Sequence, residues 1–141
     1  MIRTCPSCGQ KNRQPAERLA DKAVCGACKT PLGPLAEPVD ADPELFDTVT
    51  RGSRAPVLVD FWAAWCAPCR LAAPEVKKVA ADMAGRAVVL KVDTERYPQL
   101  AARFNVQGIP NFVVIKDGQV AFQQAGLARH TDMQRWLEQA S

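Results

Sequence analysis

One short apolar run followed by a cysteine constrains this chain more than any other feature. PVLVDFWA (residues 56–63) is almost continuously apolar, which is typical of a strand buried on both faces of a sheet. A helical pattern begins shortly afterwards at Cys66 and continues to Met83, and Pro74 is expected to kink that helix. A buried strand that leads directly into a helix favours an α/β fold.

The chain continues this alternation of strands and helices from about residue 39 onward. Asp42 followed by Pro43 is typical of a helix start, and Asp117-Gly118 between two β-rich runs predicts a hairpin. The other predicted elements are a buried strand at residues 87–93, a short helix at 97–104 and an amphipathic helix at 131–139. The order β-α-β-α-β-α-β-β-α predicts a mixed sheet flanked by helices, and therefore the fold class α/β.

The first thirty residues differ from the rest of the chain. They lack long periodic apolar segments and could not bury a core unaided. TPLGPLAEP (residues 30–38) contains three prolines and a glycine, which indicates a semi-extended connection. The predicted organisation is a small N-terminal module at 1–30, a linker at 31–38 and the α/β domain at 39–141.

Composition excludes several classes of protein. The chain has 141 residues and a net charge of only +3, so charge alone does not favour nucleic acid or a membrane surface. No apolar run approaches the roughly 18 residues that a membrane span needs, and MIRTCPSCGQKNRQ shows no secretory signal. Six cysteines without a visible export signal indicate a reducing compartment, and the expected location is the cytoplasm.

The cysteine pair in WCAPC (residues 65–69) is predicted to be the reactive one. Cys66 follows a strand and opens a helix, where unpaired N–H groups and the helix dipole stabilise a thiolate. Pro68 costs no hydrogen bond in the first turn, and Cys69 lies one turn along the same face. We expect an exposed Cys66 to attack a substrate disulfide and Cys69 to resolve the mixed disulfide.

Asp60 is the one carboxyl within the apolar run. Its apolar neighbours should desolvate it and raise its pKa toward neutrality, so that it could take the proton from Cys69. The alternative is an aspartate that is hydrogen-bonded only for strand architecture.

The other four cysteines have the spacing of a zinc site. CPSC and CGAC are separated by sixteen residues, within the four-thiolate pattern of two C-x2-C pairs about 15–20 residues apart. Cys5, Cys8, Cys25 and Cys28 are therefore predicted to hold one structural zinc ion, with Gly9 and Gly26 helping each turn to fold back. Two disulfides are the alternative.

These features together resemble the thioredoxin family over about residues 39–140. WCAPC is similar to the family's active site, with Ala67 where glycine is usual, and Asp60 falls on the family's buried acid. Further matches are the kinking Pro74, Lys91 beside the buried acid, GIP at residues 108–110 with the cis-proline, KDGQ at 116–119, and Gly126 of the substrate groove. With the four-cysteine module, the chain resembles the zinc-containing thioredoxin 2 type of that family.

The resemblance implies a thioredoxin fold with a small zinc-ribbon-like module and the activity of a protein-disulfide reductase. It implies catalytic roles for Cys66, Cys69 and Asp60, and tuning of the Asp60 pKa by Lys91, with a salt bridge as the alternative description. The implied substrate groove consists of Trp65, Ala67, Pro68, Ile109, Pro110 and Gly126. The implied partners are an NADPH-dependent thioredoxin reductase and oxidised proteins such as ribonucleotide reductase, and a monomer is expected. No organic cofactor is expected, because no glycine-rich nucleotide loop is present.

Two questions about the N-terminal module stay open at this stage. It could be a stabilising cap, or a redox sensor that loses zinc when its thiolates are oxidised. It could also make the chain a binding module for nucleic acid or a protein partner, although residues 1–33 contain no aromatic side chain for base stacking. His130, the only histidine, is expected to be solvated, and its isolation disfavours a cysteine protease.

Overall fold

The computed structural model describes residues 1–141 and confirms the predicted α/β alternation. After the two N-terminal strands β1 (Ile2–Thr4) and β2 (Lys11–Arg13), the elements follow in strand and helix order. They are β3 (Val39–Asp40), α1 (Pro43–Gly52), β4 (Val57–Trp62), α2 (Ala67–Asp82), β5 (Val88–Asp93), α3 (Pro98–Arg103), β6 (Asn111–Lys116), β7 (Gln119–Ala125) and α4 (His130–Ala140). No helix is both long and apolar enough to cross a membrane.

The central sheet has the order β3-β5-β4-β6-β7, with β4 in the middle. The first three of these strands are parallel to one another. Strand β6 is antiparallel to β4, and β7 is antiparallel to β6, so the sheet is mixed as predicted. The hairpin turns at Asp117 (φ 53°) and Gly118 (φ 77°), the pair of left-handed residues that a type I′ turn requires. In the register of β4, Asp60 is paired with Lys91 on β5 and with Phe112 on β6.

Two helix starts follow directly from the local sequence. The Asp42 side chain accepts a 2.8 Å hydrogen bond from the backbone N–H of Leu45, which caps α1. Cys66 is the N-cap of α2, and Pro68 lies in the first turn, where its missing N–H costs no helical hydrogen bond. Cys66 is thereby fixed between the end of β4 and the start of α2.

Apolar side chains cover both faces of the sheet. One core, which includes Phe46 and Leu100, joins α1 and α3 to one face; the other, which includes Val76 and Leu137, joins α2 and α4 to the opposite face. Because strand side chains alternate between faces, Asp60 shares the α2 and α4 face with Leu58.

The segment between the two cysteine pairs is part of the first of these cores. Leu19 (1% exposed) and Ala20 belong to the same buried cluster as Phe46 and Val49 of α1. Burying a leucine side chain contributes about 1.5–3 kcal/mol to the free energy of unfolding. The sequence suggested that residues 1–30 are an appendage on a linker. In the fold, Leu19 and Ala20 pack in the core together with α1.

Arg54 also contacts this segment, through hydrogen bonds and an ion pair. Its guanidinium donates hydrogen bonds to the carbonyl oxygens of Ala20 (2.9 Å) and Gly85 (3.2 Å), and it pairs with the Asp21 carboxylate. The Leu35 N–H donates a 3.2 Å hydrogen bond to the Leu19 carbonyl oxygen. The N-terminal residues are therefore held by specific polar contacts as well as by packing.

Candidate functional site

Cys66 and Cys69 are joined by a disulfide at the N-terminus of α2. Their Cα atoms are 5.2 Å apart, and the Cys69 backbone N–H lies 3.2 Å from the Cys66 sulfur. An N–H group directed at this sulfur favours negative charge on it, as does the positive end of the helix dipole. The local backbone therefore supplies what a nucleophilic thiolate needs once the disulfide is reduced.

The exposure of this pair differs from the sequence expectation. Cys66 was expected to be exposed, but only 3% of its surface is accessible, and Cys69 exposes 4%. The two cysteines form a small buried cluster with Ala63, against which Trp62 and Ile109 pack.

The groove residues predicted from sequence meet around the disulfide. The Ile109–Pro110 peptide bond is cis, and the Ile109 carbonyl oxygen lies 3.6 Å from the Cys66 sulfur. The Gly126 N–H donates a 2.8 Å hydrogen bond to the Pro110 carbonyl oxygen, and its φ of +97° suits a residue without a side chain. These contacts bring the loop before β6 and the end of β7 to one side of Cys66.

The remaining predicted groove residues are neighbours of the cysteines in sequence. Ala67 and Pro68 are exposed in the first turn of α2, and Trp65 is 66% exposed. The indole Nε1 of Trp65 donates a 2.7 Å hydrogen bond to Oε1 of Glu95. Trp65 is therefore not a core side chain. Its exposed ring is held in one orientation by the hydrogen bond to Glu95.

Asp60 lies buried in β4 and carries no hydrogen bond at Oδ1. The residue is 1% exposed, and burial raises the pKa of its carboxyl to about 7, while the positive charge of Lys91 opposes the shift. Asp60 and Lys91 form no ion pair: the Lys91 ammonium lies 4.8 Å above the Trp62 ring. The positive charge of Lys91, on the neighbouring strand, lowers the Asp60 pKa without a direct ion pair.

Cys5, Cys8, Cys25 and Cys28 form one cluster. All four sulfurs lie within 4.8 Å of one another, with 3.7 Å between Cys5 and Cys28 and 3.6 Å between Cys8 and Cys25. Four thiolates at the Zn–S distance of about 2.3 Å would form a tetrahedron with edges of about 3.8 Å. The donor set and its spacing fit a tetrahedral metal ion, and they do not fit two disulfides.

Both cysteine turns use the same hydrogen bonds but different left-handed residues. The N–H of the residue after each pair bonds back to the first cysteine, at 3.0 Å for Gly9 to Cys5 and 3.0 Å for Lys29 to Cys25. Gly9, with φ +78°, is the left-handed residue of the first turn, and Lys29, with φ +64°, is that of the second turn. The Cys28 N–H, with help from Asn12, lowers the pKa of Cys25 to about 6, which favours a thiolate ligand.

Two polar side chains, Asn111 and His130, make contacts that the sequence did not predict. Asn111, 5% exposed, donates to the Gly108 carbonyl oxygen (3.3 Å) and accepts from Gln123 (3.1 Å), which ties the loop before Pro110 to β7. His130 was expected to be solvated, but its side chain is 23% exposed and its Nδ1 lies 3.1 Å from Oε2 of Glu75. The only sequence signal for Asn111 was its place after Pro110.

Comparisons with known proteins agree with both parts of this description. A family model described as thioredoxin matches residues 37–139, and a model of the thioredoxin 2 N-terminal zinc ribbon matches residues 4–30. The chain is similar to thioredoxin C-3 of Corynebacterium nephridii, with 41% identity over 139 residues that cover 99% of this chain and 94% of the relative. It is also similar to thioredoxin 1 of Chlorobaculum tepidum, with 41% identity over 92 residues that cover 65% and 91% of the two chains.

Solved structures give the same result for the fold. A point mutant of a thioredoxin from Halobacterium salinarum superposes with a TM-score of 0.70 at 30% identity, covering 75% of this chain and 92% of that one. Chloroplastic thioredoxin z superposes with a TM-score of 0.68 at 27% identity, covering 74% and 94%.

Proposed function

The chain belongs to the thioredoxin family and is a thiol-disulfide oxidoreductase with an N-terminal metal-binding zinc ribbon, and we propose that it supplies electrons to oxidised cytosolic proteins. The observation that carries this proposal is the Cys66–Cys69 disulfide at the start of α2, beside the cis Ile109–Pro110 bond. A disulfide in that position can be reduced to a dithiol whose first sulfur is stabilised as a thiolate.

The proposed reaction has two exchange steps. The Cys66 thiolate attacks one sulfur of a substrate disulfide, forms a mixed disulfide and releases the other substrate sulfur as a thiolate. Cys69 then attacks the Cys66 sulfur, which releases the second substrate sulfur and leaves the Cys66–Cys69 disulfide. The substrate gains two electrons that the chain loses. A thioredoxin reductase drawing on NADPH is the proposed source that restores them.

Asp60 is proposed to accept the proton of Cys69 during the second step. Support comes from its burial, its free Oδ1 and a pKa near 7, which together suit a base at neutral pH. Lys91, through its field, would keep that pKa from rising further. Asp60→Asn should slow resolution near neutral pH more than initial attack, and equal effects on the two steps would exclude this role.

The proposed substrate groove consists of the exposed first turn of α2 and the loops opposite it. Ile109 and Pro110 would run alongside substrate backbone, and Gly126 would leave room for it. Trp65, Ala67 and Pro68 would contact the substrate from the other side.

We propose that the metal is a single structural zinc ion. Four thiolates leave no open coordination position, so Cys5, Cys8, Cys25 and Cys28 would hold the ion without taking part in the reaction. Zinc would stabilise the two turns, in a segment too short to fold by its own core. No organic cofactor is proposed.

A redox-sensing role for the zinc site is a second hypothesis about the same residues. Cys8 and Cys28 are exposed, so an oxidant could reach them while Cys5 and Cys25 stay buried. Metal release under peroxide at a rate below the oxidation of Cys66 and Cys69 would argue for a purely structural site.

The remaining proposals concern organisation, place and partners. We propose a zinc module at 1–30, a linker at 31–38 and a reductase domain at 39–141, in a cytoplasmic monomer that reduces proteins such as ribonucleotide reductase. Nucleic acid is not proposed as a partner. Arg3, one of the basic residues of the module, already donates to the carbonyl oxygens of Leu32 and Gly33.

Insulin reduction coupled to NADPH oxidation tests the proposed function. The full chain with a thioredoxin reductase should turn over, Cys66→Ser should be inactive, and Cys69→Ser should accumulate a mixed disulfide with substrate. Salt-sensitive retention of RNA or DNA together with negligible turnover would instead favour a binding module.

A further inference from the structure

A second depression adjoins the Cys66 groove and has no part in the mechanism above. This flanking pocket lies between α2 and the loop from β7 to α4, and its volume is about 400 Å³. It is lined by Leu71, Pro74, Glu75, Lys78, Leu127 and Arg129. Sites that hold parts of ligands commonly have volumes of about 300–1,000 Å³, so the pocket can accept a large side chain.

The pocket and the predicted groove are formed by neighbouring parts of the chain. Leu127 follows Gly126, whose N–H is bonded to the Pro110 carbonyl oxygen, and Leu71 follows Cys69 by two residues on α2. At about 1.5 Å per helical residue, positions 71–75 lie roughly 8–14 Å along α2 from Cys66. An extended peptide covers that distance in about two to four residues.

Two exposed leucines line the pocket, one on α2 and one on the loop after β7. Leu71 is 64% exposed and Leu127 is 52% exposed. Scattered exposed leucines are ordinary, but leucines that face one another across a pocket next to a reactive site indicate a surface for a partner.

The pocket also carries positive charge. The Glu75 carboxylate is already occupied by Arg129 (3.6 Å), His130 (3.1 Å) and Lys78 (3.8 Å). The side chains of Lys78 and Arg129 nevertheless remain 60% and 77% exposed. One carboxylate against two permanent cations leaves a net positive charge that a partner can meet.

We propose that the flanking pocket selects substrates by binding an extended polypeptide segment beside the disulfide, with an aliphatic or aromatic residue followed by an acidic one. The apolar side chain fills the space between Leu71 and Leu127, and the acidic side chain pairs with Lys78 or Arg129. The preferred residues stand about two to four positions from the substrate cysteine. This inference rests on the proposed reductase function.

Synthetic peptides with one internal disulfide test the pocket with the full-length chain. Three peptides differ only at the third and fourth positions after the second cysteine, which read Leu-Glu, Leu-Lys or Ser-Glu. We expect kcat/KM to be at least fivefold higher for Leu-Glu than for either alternative, mainly through a lower KM. A fivefold change corresponds to about 1 kcal/mol, the upper end of what one exposed ion pair contributes.

Two variants test whether residues of the flanking pocket cause the peptide preference. Arg129→Gln should reduce the Glu-over-Lys preference to below twofold, and Leu127→Ala should do the same to the Leu-over-Ser preference. The matched controls are Arg51→Gln, an exposed cation in the last turn of α1, and Val120→Ala, an exposed apolar residue of β7. Both controls should keep the full preference.

The outcomes separate this inference from the function on which it rests. Equal kcat/KM for the three peptides, or a preference that survives both pocket variants, overturns the inference while the reductase function stands. Failure to reduce any of the peptides, together with failure to reduce insulin, overturns the reductase function and the inference with it.

Discussion

The Arg54 guanidinium donates a 2.9 Å hydrogen bond to the carbonyl oxygen of Ala20, which lies between the two pairs of metal-binding cysteines. Arg54 stands just before β4, the strand that carries Asp60. With Leu19 and Ala20 in the core beneath α1, the N-terminal module and the oxidoreductase domain share both packing and polar contacts. A substitution in one part should therefore change the free energy of unfolding of the other part.

Leu19→Ala should destabilise the whole chain, although Leu19 lies outside the thioredoxin-like segment. Removing a fully buried leucine side chain typically lowers the free energy of unfolding by about 2–5 kcal/mol. Urea denaturation followed by tryptophan fluorescence measures the change, because all three tryptophans lie after residue 60. Val120→Ala, at a half-exposed site, is the control and should stay within about 0.5 kcal/mol. A similarly small loss for Leu19→Ala would show that the two parts unfold independently.

Removal of the metal should lower the melting temperature of the oxidoreductase domain. Without an ion, the four thiolates repel one another, the cysteine turns loosen, and the segment that holds Leu19 and Ala20 loses its support. We expect a strong chelator to lower Tm by about 5 °C or more, and zinc to restore it. Differential scanning calorimetry with metal analysis makes the measurement. A metal-free chain with an unchanged Tm contradicts the coupling.

The buried Asp60 carboxyl should make stability depend on pH between about 4 and 7. Its pKa is raised from 3.8 to about 7, so in this window the folded chain keeps a proton that the unfolded chain has lost. The free energy of unfolding therefore falls as pH rises through the window, by about 4 kcal/mol at most.

Asp60→Asn should remove that slope and should be more stable than the parent chain at pH 8. The matched control is Asp117→Asn, an exposed turn residue with φ 53°, a conformation that asparagine also adopts readily. Denaturation curves collected from pH 4 to pH 8 make the comparison. A slope that persists in Asp60→Asn would assign the proton to another group.

The hydrogen bond from Trp65 to Glu95 should hold the indole in position for substrate. Glu95→Ala removes the acceptor, and we expect kcat/KM for insulin reduction to fall about three- to tenfold, mainly through KM. Glu95→Gln retains a carbonyl oxygen and should lose less. Glu44→Gln, in the first turn of α1, is the control for the loss of one negative charge. Equal activity of Glu95→Ala and the parent chain would show that the indole needs no support.

Most of the fold could be predicted because local signals agree with one another. The apolar run of β4, the cap at Asp42 and the Asp117-Gly118 turn each select one conformation, and the structure contains all three. The four-cysteine cluster also followed from spacing, since two C-x2-C turns can close on one ion.

The parts that could not be predicted depend on contacts between distant residues. Nothing near Leu19 in the sequence signals that it shares a core with α1, because burial of one leucine has no periodicity. Lys91 was placed beside Asp60 correctly along the sheet, but its ammonium turns to the Trp62 ring. The left-handed turn at Lys29 was missed because glycine, and not lysine, is the usual signal for positive φ.

The position of Leu19 in the chain also affects how the protein is made. During synthesis, Leu19 and the cysteine turns emerge well before Phe46 and Val49 of α1, which belong to the same buried cluster as Leu19. A metal ion can therefore assemble the N-terminal turns while this leucine is still open to water, and Leu19 is buried only after α1 has been made. Until then, the nascent chain carries an uncovered leucine that chaperones or neighbouring chains can contact.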